Sequence, residues 1–242
     1  MKTRLGIAGA AALVLLFGQA PAAHVAMGQR WTPDAAIVMQ LQLGTPALPL
    51  ADGHPNWDAV TAGALATWNQ VLNGVAFGAV LGSVEAPGLQ NSLNNIIWAD
   101  DVYGEAFGDA LAITKWLYIV EDNITVEADI VFNRNGTWDS YRGALRRAPQ
   151  GGFVNDLRRV ALHELGHALG LGHPDDNAQV VRSIMNRQVS EIDDLQPDDI
   201  EGVQAIYGVR PAAPPAQAPL TEAPPAAEAP PAESQPARSW RR

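Results

Sequence analysis

With 242 residues, 47% of them hydrophobic, the chain has the material for one packed domain plus tails. Its formal net charge of −10 argues against nucleic acid or an anionic membrane surface as a partner. It has no cysteine, so disulfides are excluded and stability must come from core packing rather than covalent cross-links.

Lys2 and Arg4 precede an apolar run from Leu5 to Phe17, and Ala20-Pro21-Ala22 offers small residues at a cleavage spacing. Residues 1–22 therefore read as a secretory signal peptide, too short and wrongly flanked for a membrane span. A short N-terminal segment, 23–34, follows. The main domain is expected over 35–209, as a secreted monomer with no stable membrane insertion.

Ala35 to Leu43 alternates as a strand, with Ile37, Met39, Leu41 and Leu43 on one face. Trp57, Val60, Ala64, Trp68 and Val71 recur at helical spacing, opened by Asn56 or Asp58 and closed by Asn73-Gly74. This first helix packs its tryptophans on a sheet. Val75 to Val84 and Asn95 to Trp98 are short strands separated by a Pro87-Gly88 turn. Ala110 to Val120 and Ile124 to Asn133 make two more, joined tightly at Glu121-Asp122-Asn123. In the second of these, Val126, Ala128, Ile130 and Phe132 share one face and Glu127 and Asp129 the other, as in a half-buried strand.

The most informative stretch is His163-Glu164-Leu165-Gly166-His167-Ala168-Leu169-Gly170-Leu171-Gly172-His173, which holds three of the chain's five histidines. Leu157 to Leu169 has the apolar spacing of a helix, capped by Asp156 or Asn155, with Leu157, Ala161, Leu165 and Leu169 facing one way and Val160 and Leu162 broadening the apolar surface. His163 and His167 then lie about 40° apart around the axis and one turn apart along it, so both imidazoles reach one cation. Glu164, roughly 60° from His167, stands beside that cation without having to ligate it, where a general base belongs. Gly170 can take the left-handed conformation that ends a helix and turn the chain back, returning His173 to the same ion. Three neutral histidines leave one tetrahedral position open, as in catalytic rather than structural zinc sites. Met185 follows within Ser183-Ile184-Met185.

The last predicted helix has Pro197 at its first turn, Asp198 and Asp199 favourable to its N-terminal dipole, Ile200, Val203, Ile206 and Tyr207 inward and Gly208 as its stop. Beyond it, residues 210–242 become Pro-, Ala- and Glu-rich. They hold half of the 18 prolines and are expected to form a disordered tail.

The eleven-residue stretch resembles the signature of the metzincin zinc metallopeptidases, and Ser183-Ile184-Met185 resembles their Met-turn. Leu195 to Gly208 resembles the last helix of matrixins, the matrix metalloproteinase branch. The resemblance implies an α+β metzincin catalytic domain, with a twisted mixed sheet of about five strands, a central active-site helix, a second packing helix and a C-terminal helix. It further implies a secreted form of bacterial type, a zinc-dependent endopeptidase acting on protein or peptide substrates through a zinc-bound water. Glu164 would be the general base, His163, His167 and His173 the metal ligands, and Met185 and Gly170 structural supports.

The strand within Ala110 to Val120 would be the edge that takes substrate. One of the paired aspartates would anchor the mature N-terminus or the Met-turn, although dipole complementarity explains both equally well. Matrixins also bind calcium and a second, structural zinc near the corresponding strands. The histidines for that zinc are missing, so one catalytic Zn2+ is expected. Ca2+ at Glu127, Asp129 or their neighbours stays an open alternative. Latency through a propeptide cysteine is not expected, and too few residues precede the first strand for a folded prodomain. After Met185 stand Asn186-Arg187-Gln188-Val189, where matrixins usually have a Pro-x-Tyr wall, so substrate preference does not carry over.

Two rival readings remain. Gly170-Leu171-Gly172-His173-Pro174 also resembles the serralysin branch, but no glycine-aspartate calcium repeats follow. A silent secreted metal-binding or adhesion module would have no need of Glu164.

Overall fold

The computed structural model describes residues 23–211; the predicted signal peptide and all of the tail after residue 211 lie outside them. In chain order the elements are β1 (Val25–Ala26), β2 (Ala35–Gln42), α1 (Trp57–Asn69), β3 (Val75–Leu81), β4 (Asn94–Ala99), β5 (Ala112–Ile119), β6 (Ile124–Asn133), β7 (Trp138–Asp139), β8 (Arg146–Arg147), β9 (Phe153–Asp156), α2 (Leu157–Ala168), β10 (Leu171–Gly172), a 3₁₀ turn (Pro174–Asn177) and α3 (Pro197–Tyr207). The expected α+β class, five-stranded mixed sheet and three helices are all present. The sheet runs β3-β2-β4-β6-β5, parallel except for the antiparallel β5–β6 hairpin, which leaves β5 at an edge. A small sheet ordered β7-β9-β8 precedes α2; its strands are too short to show a periodicity in sequence.

The core lies between the sheet and the two longer helices. Ile37, Met39 and Leu41 of β2 and Ala128, Ile130 and Phe132 of β6 face it, as their alternation predicts. Val60, Ala64 and Trp68 of α1 and Leu157, Ala161, Leu162 and Leu165 of α2 meet them from the other side. Trp68 is fully buried, and burying an aromatic of this size contributes on the order of 4–6 kcal/mol. Asn56 caps α1 by accepting from Ala59 N at 2.8 Å. Asp58 is not a cap: it is buried, and accepts from Leu43 N and Gly82 N, both at 2.8 Å, tying the helix to the ends of β2 and β3.

Two expectations need correction. Glu127 and Asp129 are buried, so β6 is enclosed on both faces over most of its length rather than half-exposed. Their oxygens accept from protein donors: Gln90 N and Ser92 N at 2.6 Å on Glu127, Asn95 N at 2.7 Å and the Tyr103 hydroxyl at 3.1 Å on Asp129. A buried carboxylate persists only with such partners, and here the pair moulds the loop before β4 and the one after it. Asp156 occupies the N-cap position of α2 without a side-chain capping bond; its Oδ1 accepts from Tyr141 N at 3.2 Å instead.

Helix α2 is central, with ten of its twelve residues buried. A helix end leaves carbonyls without intrahelical donors, and burial makes that costly. Side chains from three other segments supply donors. The indole of Trp116 reaches His167 O at 2.9 Å, that of Trp31 reaches Ala168 O at 2.8 Å and the Tyr207 hydroxyl reaches Leu169 O at 2.8 Å. The segment that carries the first two histidines is thereby held from three directions.

Candidate active site and metal centre

The site grows from the end of α2. Gly170 has φ +96°, and a β-carbon there would overlap the Gln29 carbonyl, so both backbone conformation and space demand glycine. The chain reverses, Leu171–Gly172 pairs antiparallel with Val25–Ala26, and His173 returns over the helix. Its Nε2 lies 3.1 Å from that of His163 and 3.0 Å from that of His167. The three imidazoles form a group whose ligand atoms all lie within 4.8 Å of one another.

Their outer nitrogens decide what they can hold. His163 Nδ1 meets Ile184 O at 2.8 Å, His167 Nδ1 meets Leu171 O at 2.7 Å and His173 Nδ1 meets Asp176 Oδ2 at 3.3 Å. A carbonyl or carboxylate oxygen only accepts, so each Nδ1 carries the hydrogen and each Nε2 presents a lone pair. Three lone pairs facing one another at 3.0–3.1 Å repel unless a cation sits among them. Tetrahedral zinc with nitrogen ligands at about 2.0–2.1 Å needs nitrogens about 3.3 Å apart, close to what is found. Burial, with the nearby His163 adding to it, pushes the pKa of His167 well below the ordinary imidazole value and lowers that of His173, favouring the neutral form that ligates. The residues fit zinc.

Glu164 is buried beside this cluster, with Oε2 2.7 Å from the hydroxyl of Thr114 on β5. Burial raises its carboxyl pKa, while His163 and the Thr114 hydroxyl pull it back. Glu164 and the three histidines line a cleft of about 1340 Å³, walled on one side by β5 residues Ala112 to Trp116 and on the other by Ser183 to Ile192.

The sequence profile of the matrixin peptidase family matches residues 51–208, more than half of the chain. The chain belongs to the matrixin family. Stretches of it are similar to matrix metalloproteinase-16 of Homo sapiens (42% identical over 66 residues, 27% of this chain and 11% of that protein). They are also similar to metalloendoproteinase 1 of Glycine max (39% over 56 residues, 23% and 18%) and to matrix metalloproteinase-25 of Homo sapiens (34% over 91 residues, 37% and 15%). The chain thus spans less than a fifth of the length of these relatives.

Against the histidine cluster of this matrixin, Ser183-Ile184-Met185 forms a tight turn organised by one carboxylate. Asp199 of α3 accepts from the Ser183 hydroxyl, from Ile184 N at 3.0 Å and from Gln196 N at 2.7 Å, while Ser183 Oγ accepts from Met185 N at 2.9 Å. Its neighbour Asp198 accepts from Ala23 N at 3.2 Å. One aspartate of the pair therefore anchors the turn and the other the N-terminal segment. Since Ile184 O is the partner of His163, Asp199 acts on this imidazole through one intervening residue.

Met185 closes the floor against Gly166, where a methyl group would overlap its sulfur and press on Trp68. Gly166→Ala is accordingly expected to destabilise the protein. The overlap of the added β-carbon with the Met185 sulfur places the overpacking at the upper end of its usual range, ~2–3 kcal/mol, which outweighs the gain of about 1 kcal/mol in helix propensity for a net loss of ~1–2 kcal/mol. Thermal unfolding should show Tm lower by roughly 2–8 °C; an unchanged or higher Tm would mean the floor has slack.

Of the residues singled out in the sequence, the three histidines come together with Glu164 beside them, Gly170 turns the chain back, and Met185 packs against Gly166. Thr114, Trp116 and Asp176 are not singled out by the sequence. Of these only Asp176 carried a local signal, an acid three residues after a histidine. Arg187 then grips Asp176 through Nε at 2.8 Å and Nη2 at 2.7 Å, in the segment where the resemblance predicts a different pocket wall.

Proposed function

We propose that this matrixin is a secreted zinc-dependent endopeptidase. The observation that carries the reading is the convergence of three Nε2 lone pairs in a cleft that also holds a buried carboxylate and has a sheet edge as its wall. His163, His167 and His173 would hold the metal. Zinc bound there supplies Lewis acidity, making water acidic near neutral pH and polarising the scissile carbonyl.

The remaining work falls to the chain's own residues. Among the described residues strand β5 is paired only with β6, so its other edge offers N–H and C=O groups to an extended peptide, which docks as an added strand. Glu164 takes a proton from the attacking water and passes it to the leaving amide nitrogen, acting first as base and then as acid. The three imidazoles that would hold the metal are neutral, so the ligand set itself would place no negative charge against the developing oxyanion. Export rests on the basic, apolar and small-residue order of residues 1–22. Among the described residues no helix is long and apolar enough to cross a membrane.

Purified protein should cleave casein or a quenched-fluorescence peptide, lose that activity to a chelator and regain it with added zinc. A folded, zinc-loaded protein that is inert against a broad peptide library would overturn the peptidase reading in favour of a metal-binding module.

A further inference from the structure

Strand β5 alternates buried and half-exposed positions from Ala112 to Lys115, and Thr114 sits on the buried face opposite Ile130 of β6. Its neighbours on that face, Ala112, Ala128, Ile130 and Phe132, are apolar and buried. Valine has the same shape as threonine and suits a buried strand better, so a hydroxyl in this row is costly unless it has a partner. The partner lies fifty residues away. Thr114 Oγ1 is 2.7 Å from Glu164 Oε2 and 3.1 Å from Glu164 O. A hydroxyl has one hydrogen to give, and the shorter, charge-assisted bond to the carboxylate is the stronger acceptor. Among the described residues, Oε1 receives no side-chain or backbone donor.

The geometry points to Thr114 as a positioning residue for Glu164: the hydroxyl pins one carboxylate oxygen against β5 and leaves the other for the reacting water. The inference rests on the peptidase reading for its consequence, though not for its geometry. A carboxylate on two rotatable methylenes samples several rotamers, and a fixed acceptor raises the fraction of encounters with correct proton-transfer geometry. Strand β5 also forms the edge proposed to take substrate, so one strand would align the peptide and the base together.

The test compares wild type, Thr114→Val and Thr114→Ser. Thr114→Val should keep full zinc stoichiometry and KM within about twofold, yet lose kcat by roughly 10- to 100-fold, the scale of a misplaced catalytic group. Thr114→Ser, which restores the hydroxyl, should recover most of that loss. Wild-type kcat in Thr114→Val, or equal losses in both variants, would overturn the assignment. So would loss of zinc from Thr114→Val, which would mark a purely structural tie between β5 and α2. Crystal structures of wild type and Thr114→Val give a readout independent of activity. Glu164 should occupy one rotamer in the first and spread over several in the second, and a single shared rotamer would overturn the inference. Should wild type itself be inert, the peptidase reading fails while the rotamer comparison still decides the role of Thr114.

Discussion

Glu164→Gln is expected to lower kcat on a quenched peptide by about 10²- to 10⁴-fold, the range general acid–base catalysis supplies, while zinc stays stoichiometric. Glutamine keeps the shape and can still meet the Thr114 hydroxyl, but it cannot accept a proton. Because Glu164 belongs to none of the Nε2 positions, metal retention and loss of turnover should separate cleanly. Activity above a tenth of wild type, or zinc falling in step with activity, would show that this carboxylate is either not the base or part of the metal shell.

The second large effect concerns the ligands. His163→Ala and His167→Ala should each bring zinc occupancy close to zero in dialysed protein. The loss should exceed the ~10- to 100-fold weakening typical when only an outer hydrogen-bond partner is removed. Two imidazoles cannot complete the three-nitrogen set that His173 closes at 3.0–3.1 Å. Metal analysis by mass spectrometry alongside circular dichroism distinguishes a lost ligand from a lost fold. Full stoichiometric zinc in both variants would show that the wrong residues have been named.

These effects were legible in the sequence because the chemistry is local. The three histidines and Glu164 fall within eleven residues, and helical spacing plus one glycine determines how they meet. Long apolar alternation was equally readable: Ile37, Met39 and Leu41 reach the core as their period of two requires. The same pattern misled at β6, where period two separates Glu127 and Asp129 from the apolar face but is silent on what covers them. Their donors come from Gln90 to Tyr103, a quarter-hundred residues or more upstream, and no periodicity within one strand reports that. Thr114 was hidden for the same reason, since its identity only becomes informative once Glu164 is seen opposite. Asp199 was an intermediate case: dipole complementarity explained it well enough that its tie to Ser183 and Ile184 had no distinct signature.

That tie has a bearing on biosynthesis. The three imidazoles are complete by residue 173, but Ile184, whose carbonyl orients His163, is itself held by a carboxylate on the final helix. A chain growing from its N-terminus therefore carries all three histidines well before Asp199 exists to hold the turn that orients His163, and that arrangement is completed only once α3 has emerged and docked.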